Sequence, residues 1–368
     1  MVNFETLFNG IYKGKKVLLT GHTGFKGSWL SLWLEKMGAD VYGYSLENTD
    51  ESNHIGLLNL NINQKIGDIR DLQTLQNYFK EVQPDIVFHL AAQALVRPSY
   101  EDPIETYSTN VMGTLNVFEA CRKTDSVKAI VNVTSDKCYD NKEWVWGYRE
   151  NEPMGGYDPY SASKGCSELL TSSYRNSYFN TKEYGKKHNV LLASGRAGNV
   201  IGGGDWAIDR LIPDIVKATS KKTAVLIRNP KATRPWQHVL EPLSGYLNLG
   251  AELLKKQVSK AEGFNFGPDN SSNLQVGDIV KLSHEYWTDI KIEFSKNTDE
   301  HHEANLLMLD CSKANKELKW KAVWGIDKTI STTINWYKNF YTKNKITSLE
   351  DLTNYVLDAK EANVLWAK

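Results

Sequence analysis

For its first two hundred residues the chain alternates between two kinds of hydrophobic pattern. Val17-Leu18-Leu19-Thr20 is a continuous apolar run stopped by Gly21, as in a strand buried on both faces. From Phe25 to Met37 the period changes, and Phe25, Trp29, Leu32, Trp33 and Met37 form the stripe of an amphipathic helix. Gly38 ends it, and Asp40–Ser45 resumes an extended pattern. A polar loop around 47–53 leads to GDIRD at 67–71. DLQTLQNYFKEV at 71–82 then predicts a helix, DIVFHLAA at 85–92 a strand, 106–121 a helix and AIVNVTSD at 129–136 a strand. Residues 161–187 read as mostly helical and VLLASGRAGN at 190–199 as a strand. Strands alternating with helices imply parallel pairing through right-handed crossovers. The predicted fold class is α/β, a doubly wound parallel sheet of the Rossmann kind.

Past Asn199 the rhythm loosens. IGGGDW at 201–206 is a glycine-rich loop, followed by a helix over 210–219, a short strand at 225–228 and a helix through EPLSGYLNLGAELL. FNFGP at 264–268 and a turn and helix in WGIDKTISTTINWY follow. The expected organisation is a cofactor-binding domain over 1–200 and a smaller substrate-binding lobe over 201–368, with interleaved segments.

Composition narrows the function classes. The 368 residues suit two domains, or one large domain with an appended lobe, at roughly 150 residues per domain. Apolar residues at 41% and charged residues at 24% are those of a globular protein and exclude intrinsic disorder. With 44 basic and 44 acidic side chains there is no global basic footprint, which argues against a nucleic-acid partner. No apolar run approaches the roughly 18 residues of a membrane span, and the opening segment does not read as a signal peptide. Cys121, Cys138, Cys166 and Cys311 are scattered with no CxxC pair, so neither a disulfide framework nor a metal site is expected. The compartment reads as reducing cytoplasm.

Three motifs carry chemistry. VLLTGHTGFKG places Gly21, Gly24 and Gly27 between the first strand and first helix. Glycine there permits a tight turn and close approach to a pyrophosphate, and the helix N-terminus supplies N–H groups to the anion. The pattern also suits a tight strand-to-helix turn with no ligand. An acid that grips the adenosine ribose belongs roughly 20 residues on. Tyr44-Ser45-Leu46 stands there instead, with Glu47 beyond and no Arg or Lys to favour a 2′-phosphate. NAD is therefore the expected cofactor, weakly held. Tyr160 and Lys164 are the second motif. One helical turn apart, they share a face, so the lysine's charge lowers the phenol's pKa and its amine reaches the nicotinamide ribose. The third is Ser135-Asp136-Lys137, at the C-terminal end of a parallel strand and so facing the cofactor crevice. A dehydrogenase or epimerase needs only the serine, tyrosine and lysine. The additional Asp136–Lys137 pair points to a second proton transfer.

Taken together, TGHTGFKGSWL, HLAAQALVRPSY, VTSDKCY, YDPYSASKGCSE, GRAGNVIGGGDWA, RLIPD and RPWQHVLEPLSGYL resemble the extended short-chain dehydrogenase/reductases that act on nucleotide sugars. The likeness is greatest to the CDP-glucose 4,6-dehydratases, and HHEANLLMLDCSKA at 301–314 extends it. Related dTDP-glucose enzymes carry Thr-Asp-Glu where this chain has Ser135-Asp136-Lys137, and lysine is a feature of the CDP-glucose branch. The resemblance implies CDP-glucose as substrate and catalysis by Ser135, Asp136, Lys137, Tyr160 and Lys164, with Lys137 as a neutral-amine base. It implies a cofactor cradle of Gly21, Thr23, Gly24, Phe25, Gly27, Asp68, Ile69, Ala91 and Ala92 together with Tyr160 and Lys164. Asn199, Arg234 and His302 would hold the substrate's diphosphate. A homodimer through the helices around 106–121 and 161–178, or a homotetramer, is also implied. Open alternatives are a nucleotide-sugar 4-epimerase, a dehydratase for another nucleotide hexose, and a nucleotide-sensing regulator, although such regulators commonly lose the Ser/Tyr/Lys set.

Overall fold

The computed structural model describes residues 2–48, 52–227, 229–269, 272–294 and 306–368. Its centre is a seven-stranded, wholly parallel sheet. The strands are β1 (Lys16–Thr20), β2 (Asp40–Ser45), β3 (Asn63–Ile66), β4 (Ile86–His89), β5 (Ala129–Val133), β6 (Leu191–Arg196) and β7 (Gly263–Asn265), in the order β7-β6-β5-β4-β1-β2-β3. Strand side chains alternate between two cores. Val17, Leu19, Ile86, Phe88, Ala129 and Val131 enter the larger one, while Leu18, Val87 and Ile130 enter the other. Burial on both faces is why these strands read as unbroken apolar runs. The chain reverses direction across the sheet between β1 and β4, which opens a crevice at their C-terminal ends.

The helices near the crevice are α1 (Phe25–Lys36), α2 (Leu72–Val82), α3 (Thr114–Arg122) and α4 (Pro159–Ser177). Asp71 caps α2 by accepting from the Thr74 N–H at 3.1 Å. Two expected helices differ in extent. The segment read as one helix over 106–121 arrives as the end of a short helix Pro103–Tyr107, a π-helical stretch Ser108–Gly113 and then α3, with a further short helix at Val96–Glu101 ahead of it. A side chain at Gly113 would lie 2.5 Å from Ile69, so the wider turn brings the backbone against that residue. The helix read over 161–187 ends at Ser177. Beyond it the chain turns to bury Phe179 beside Tyr174, ring centroids 6.4 Å apart.

Downstream lie α5 (Leu211–Ser220), α6 (Leu240–Leu254), α7 (Val276–Tyr286), α8 (Ile326–Lys343) and α9 (Ser348–Glu361). Three short strand pairs join Val200–Ile201 to Gln237–His238, Thr233–Pro235 to Asn273–Gln275, and Ala224–Ile227 to Lys291–Phe294. Arg228, at the end of the strand read over 225–228, lies outside the described residues. Both α6 and β7 build directly onto the sheet, and a single apolar core runs from Leu7 to Ala367. Glu241 on α6 ties the tail down, accepting from the N–H groups of Val323 (3.0 Å) and Trp324 (2.7 Å) and from the Tyr355 hydroxyl (2.8 Å). No helix among the described residues is long and apolar enough to cross a membrane.

Candidate active site

The glycine loop has the dimensions of a phosphate cradle. Gly21 has φ +75°, and a Cβ on it would lie 2.7 Å from the Ala91 nitrogen at the end of β4. A Cβ on Gly27 would lie 2.1 Å from the Gly21 carbonyl oxygen. Only glycine lets the turn, the end of β4 and the first turn of α1 approach this closely. Gly24 is the N-cap of α1, so the free N–H groups of Phe25 and its successors open on the crevice. The Phe25 ring lies against Gly202. Ala91 donates its N–H to the Thr20 hydroxyl at 3.3 Å, with Ala92 following at the crevice edge.

Ser45, where the ribose-gripping acid is usual, is already engaged. Its hydroxyl lies 3.0 Å from the Thr23 hydroxyl and 3.0 Å from His22 Nδ1, and His22 Nε2 lies 3.0 Å from Gln64. Asp68 forms a two-oxygen pair with Arg70, whose Nε lies 3.0 and 2.9 Å from the carboxylate oxygens. Arg70 also bonds Glu105. The Arg70 hydrogen bonds hold the Asp68 carboxyl below the ordinary value, so it presents as an ionised acceptor. Buried Ile69 follows it beneath Gly113.

At the end of β5, Ser135 caps the short turn Asp136–Cys138, accepting from the Lys137 N–H at 3.2 Å and donating to Asp136 Oδ1 at 3.0 Å. Opposite stands the start of α4. Asp158 accepts from the Ser161 N–H at 2.9 Å and Pro159 occupies the first turn, a strong helix start. Tyr160 is therefore held at a fixed helical position, its own N–H bonded to the Ser99 hydroxyl at 3.1 Å. The Ser135 side chain faces its phenol and favours the ionised form. Lys164 Nζ lies 6.0 Å from the Tyr160 ring centroid. The structure thus brings together Ser135, Asp136, Tyr160 and Lys164, all buried, with Lys137 half-buried beside them.

The electrostatics differ from the sequence expectation in one respect. Burial pushes Lys164 down to about 8 and lifts the Tyr160 phenol to about 12, where the Ser135 hydrogen bond offsets only part of the rise. The lysine does not lower the phenol because desolvation favours the uncharged form of both groups. Asp136 is raised by burial, against the charges of Lys137 and Lys26 and the Ser135 hydrogen bond. A raised carboxyl is suited to giving up a proton rather than taking one.

Behind these residues lies a buried network that sequence reasoning missed. Glu168, one turn after Lys164 on α4, accepts from the Thr134 and Ser194 hydroxyls and from Arg196 Nη2 at 2.8 Å. Arg196 also donates to the Tyr139 hydroxyl (2.6 Å) and the Glu150 carbonyl (3.0 Å). Glu168 belongs to the YxxxKxxxE spacing, which is the one sequence signal that marks it. Lys26 and Arg210 were also missed. Arg210 pairs with Asp205 at 2.8 Å, close enough for its charge to act on Tyr160.

Of the expected substrate contacts, Asn199 and Arg234 lie on adjoining segments. The Asn199 carbonyl accepts from the Gln237 N–H at 3.3 Å, and Gly198 packs on Pro235. Arg234 Nη1 donates to the Thr233 carbonyl at 3.0 Å. They border a small cleft lined in part by Gly198, Pro235, Asn273 and Met308. His302 lies outside the described residues, as do the first residues of the 301–314 motif and 49–51 of the polar loop. Among the described residues no cluster of His, Cys, Asp or Glu could hold a metal ion.

Known proteins resemble this chain in sequence or in fold. The chain is 54% identical over 329 residues to a CDP-glucose 4,6-dehydratase of Salmonella typhimurium, covering 89% of this chain and 91% of that protein. Its fold superimposes on an epimerase of Methanothermobacter thermautotrophicus (TM-score 0.77, 23% identity, 92% of this chain and 97% of that one). It does so equally on a Thermus thermophilus UDP-glucose 4-epimerase in complex with NAD (TM-score 0.75, 23% identity, 88% and 99%). The GDP-mannose 4,6 dehydratase family model matches residues 18–333. With that model spanning the sheet and most of the lobe, the chain belongs to the GDP-mannose 4,6 dehydratase family, on the side of its CDP-glucose 4,6-dehydratase relatives.

Proposed function

We propose that the protein is an NAD-dependent CDP-glucose 4,6-dehydratase, a lyase converting CDP-D-glucose to CDP-4-keto-6-deoxy-D-glucose and water. The observation that carries this reading is Asp136, a buried carboxyl with a raised pKa, bonded to the serine that also faces the Tyr160 phenol. A 4-epimerase has no use for such an acid. The 54% identity to a CDP-glucose 4,6-dehydratase supports the same assignment.

NAD fits the residues present. The close backbone approach at Gly21 and Gly27 leaves the N-terminus of α1 open, and its N–H groups would hold the pyrophosphate, with Asp68 and Ile69 bordering the adenine and Lys164 reaching the nicotinamide ribose. Bound there, NAD would supply a hydride acceptor for carbon 4 and, once reduced, a hydride donor for carbon 6. The protein's groups manage the protons. Tyr160, aligned by Ser135, takes the proton of the 4-hydroxyl. Its phenol starts at about 12, so it needs a nearby positive charge to act near neutrality. Oxidation at carbon 4 makes the carbon 5 hydrogen acidic. Lys137 removes it, while Asp136 gives its proton to the departing 6-hydroxyl. Asn199 and Arg234 hold the diphosphate, for which the guanidinium's donor fork is suited.

The active form is a homodimer or a homotetramer. Ile104 and Met112 stand 80% and 52% exposed around a shallow apolar depression that includes Tyr107 and Cys166, and Leu169, three residues beyond Cys166 on α4, is 61% exposed. An apolar patch on two neighbouring helical segments suits an isologous pairing. The enzyme works in the cytoplasm, in keeping with four cysteines held as thiols.

The test is direct. Purified protein with CDP-glucose and NAD should yield the 4-keto-6-deoxy product with no net NADH. Formation of a CDP-hexose epimer instead, or no turnover with CDP-glucose, would overturn the reading.

A further inference from the structure

Lys26 stands in the middle of the glycine loop, in the first turn of α1, and is half-buried. Its side chain runs toward α6, where Nζ lies 5.9 Å from the centroid of the Tyr246 ring. Tyr246 packs under Gly195 at the end of β6; a Cβ on that glycine would lie 2.7 Å from its ring. Three residues further on, Gly198 lies against Asp136, where a Cβ would sit 2.8 Å from the carboxylate. Lys26, Tyr246 and Asp136 thus line one wall at the C-terminal ends of β5 and β6. Within it the Tyr246 hydroxyl is fully buried and has no hydrogen-bond partner among the described residues. No carboxylate pairs with Lys26 within ion-pair distance among those residues either.

The groups whose charge bears on Asp136 can be named element by element. Its own turn contributes Lys137 and Cys138, α4 contributes Tyr160, α6 contributes Tyr246 and α1 contributes Lys26. Two of these are cationic side chains. Lys137 is the proposed base and takes up the carbon 5 proton in the same step. Lys26 takes no part in bond making and is free to act on Asp136 throughout.

We propose that Lys26 is a positioning residue for the elimination step, its ammonium placed to stabilise the Asp136 carboxylate formed when that acid gives its proton to the departing hydroxyl. This rests on the proposed role of Asp136. In that step the bond from carbon 6 to oxygen breaks, its electron pair leaves with the oxygen, and the Asp136 proton completes a water molecule. The electrons of the bond from carbon 5 to hydrogen become the double bond, and that proton goes to Lys137. A buried negative charge therefore appears on Asp136, and a fixed ammonium nearby stabilises the transition state more than the ground state. Burial, then the charges of Arg210 and Lys164, lower Lys26 to about 8, so it is cationic at neutral pH and discharges above that.

The experiment compares the wild type, Lys26→Met, Lys26→Arg and Asp136→Asn as full-length protein with NAD and CDP-glucose. NADH absorbance and 4-keto-6-deoxy product are followed across a pH series. Lys26→Met should slow product formation by about tenfold to a hundredfold while NADH accumulates, because oxidation at carbon 4 does not use Lys26. Lys26→Arg, which keeps the charge, should restore the rate. Wild-type turnover in Lys26→Met, or equal slowing of NADH formation and of product, would overturn the proposal. Normal dehydration by Asp136→Asn would instead overturn the role of Asp136, whatever the Lys26 variants do.

Discussion

Replacing Glu168 with alanine tests whether the network behind the active site holds the proton-transfer groups in place. Glu168 and Arg196 are 3% and 6% exposed in their side chains and lie 2.8 Å apart. Burial pushes the Glu168 carboxyl up, but the Arg196 charge and hydrogen bond, with those of Thr134 and Ser194, outweigh it and hold the group below the ordinary value. Removing one member of a buried ion pair destabilises by about 3–5 kcal/mol, because the remaining charge is left without compensation. Two hydroxyls lose an acceptor as well, though each can rotate to another, so the expected loss is about 4 kcal/mol. Thr134 immediately precedes Ser135, and Glu168 lies one turn beyond Lys164. The spacing of Ser135 and Tyr160 should therefore loosen, and kcat should fall by about tenfold to a hundredfold. Urea unfolding followed by tryptophan fluorescence gives the stability change, and product formation gives kcat. The double variant Glu168→Gln with Arg196→Met removes both charges, and Asn265 still accepts from the Tyr139 hydroxyl at 2.8 Å. It should regain part of the lost stability. Because the native pKa is depressed, the contribution of Glu168 is present above its unfolded value of about 4.3 and disappears as pH falls through the native one. A loss below about 1 kcal/mol in Glu168→Ala, or a double variant no more stable than the single one, would refute the reasoning.

In Gly27→Ala the new methyl would meet the Gly21 carbonyl at 2.1 Å and the His22 Cα at 2.7 Å. The loop must shift, at about 1–3 kcal/mol, and calorimetry should show NAD affinity reduced by about tenfold or more. Glu241, raised to about 7 by burial, carries the opposite sign to Glu168. The native state keeps its proton up to about 7 while the unfolded state loses it near about 4.3, so this group's contribution to stability falls as pH rises between those values. Glu241→Gln should accordingly improve relative to the wild type between pH 5 and pH 8 in urea titrations, at about 1.4 kcal/mol per pH unit at most; a difference that does not change with pH would count against the buried, protonated carboxyl. Leu169→Glu, at a position 61% exposed, should leave the fold intact by circular dichroism and yield monomers by light scattering, whereas an unchanged oligomer would place the interface elsewhere.

How much of this was legible in the sequence follows from the range of the forces involved. The runs in β1, β4, β5 and β6 are apolar at successive positions because helices cover both faces of the sheet, so each strand announces itself. That Tyr160 and Lys164 share one face follows from the helical period, and their distance along the chain from Ser135 at a strand end singled them out; Gly21 and Gly27 stood out by their place between the first strand and first helix. β3, with the sequence NQKI, is exposed along its length and held to β2 by backbone hydrogen bonds, so no hydrophobic pattern marks it. The π-helical stretch before α3 was equally hidden, since it answers to the approach of Ile69 from elsewhere in the chain.

What only the tertiary structure decided are pairings between distant segments and the charge states they impose. Arg196 reads locally as the end of a strand; its burial against Glu168 required α4 to lie across β5 and β6. Ser45 was visible as a missing acid, but its bonding to Thr23 and His22 depends on the register that places β2 beside β1. The sequence placed Lys164 one turn from Tyr160 and suggested a lowered phenol, yet burial of both lifts the phenol instead. Spacing along a helix or strand is set by local covalent geometry and survives in the sequence. Desolvation depends on everything packed around a group, and that exists only once the chain has folded.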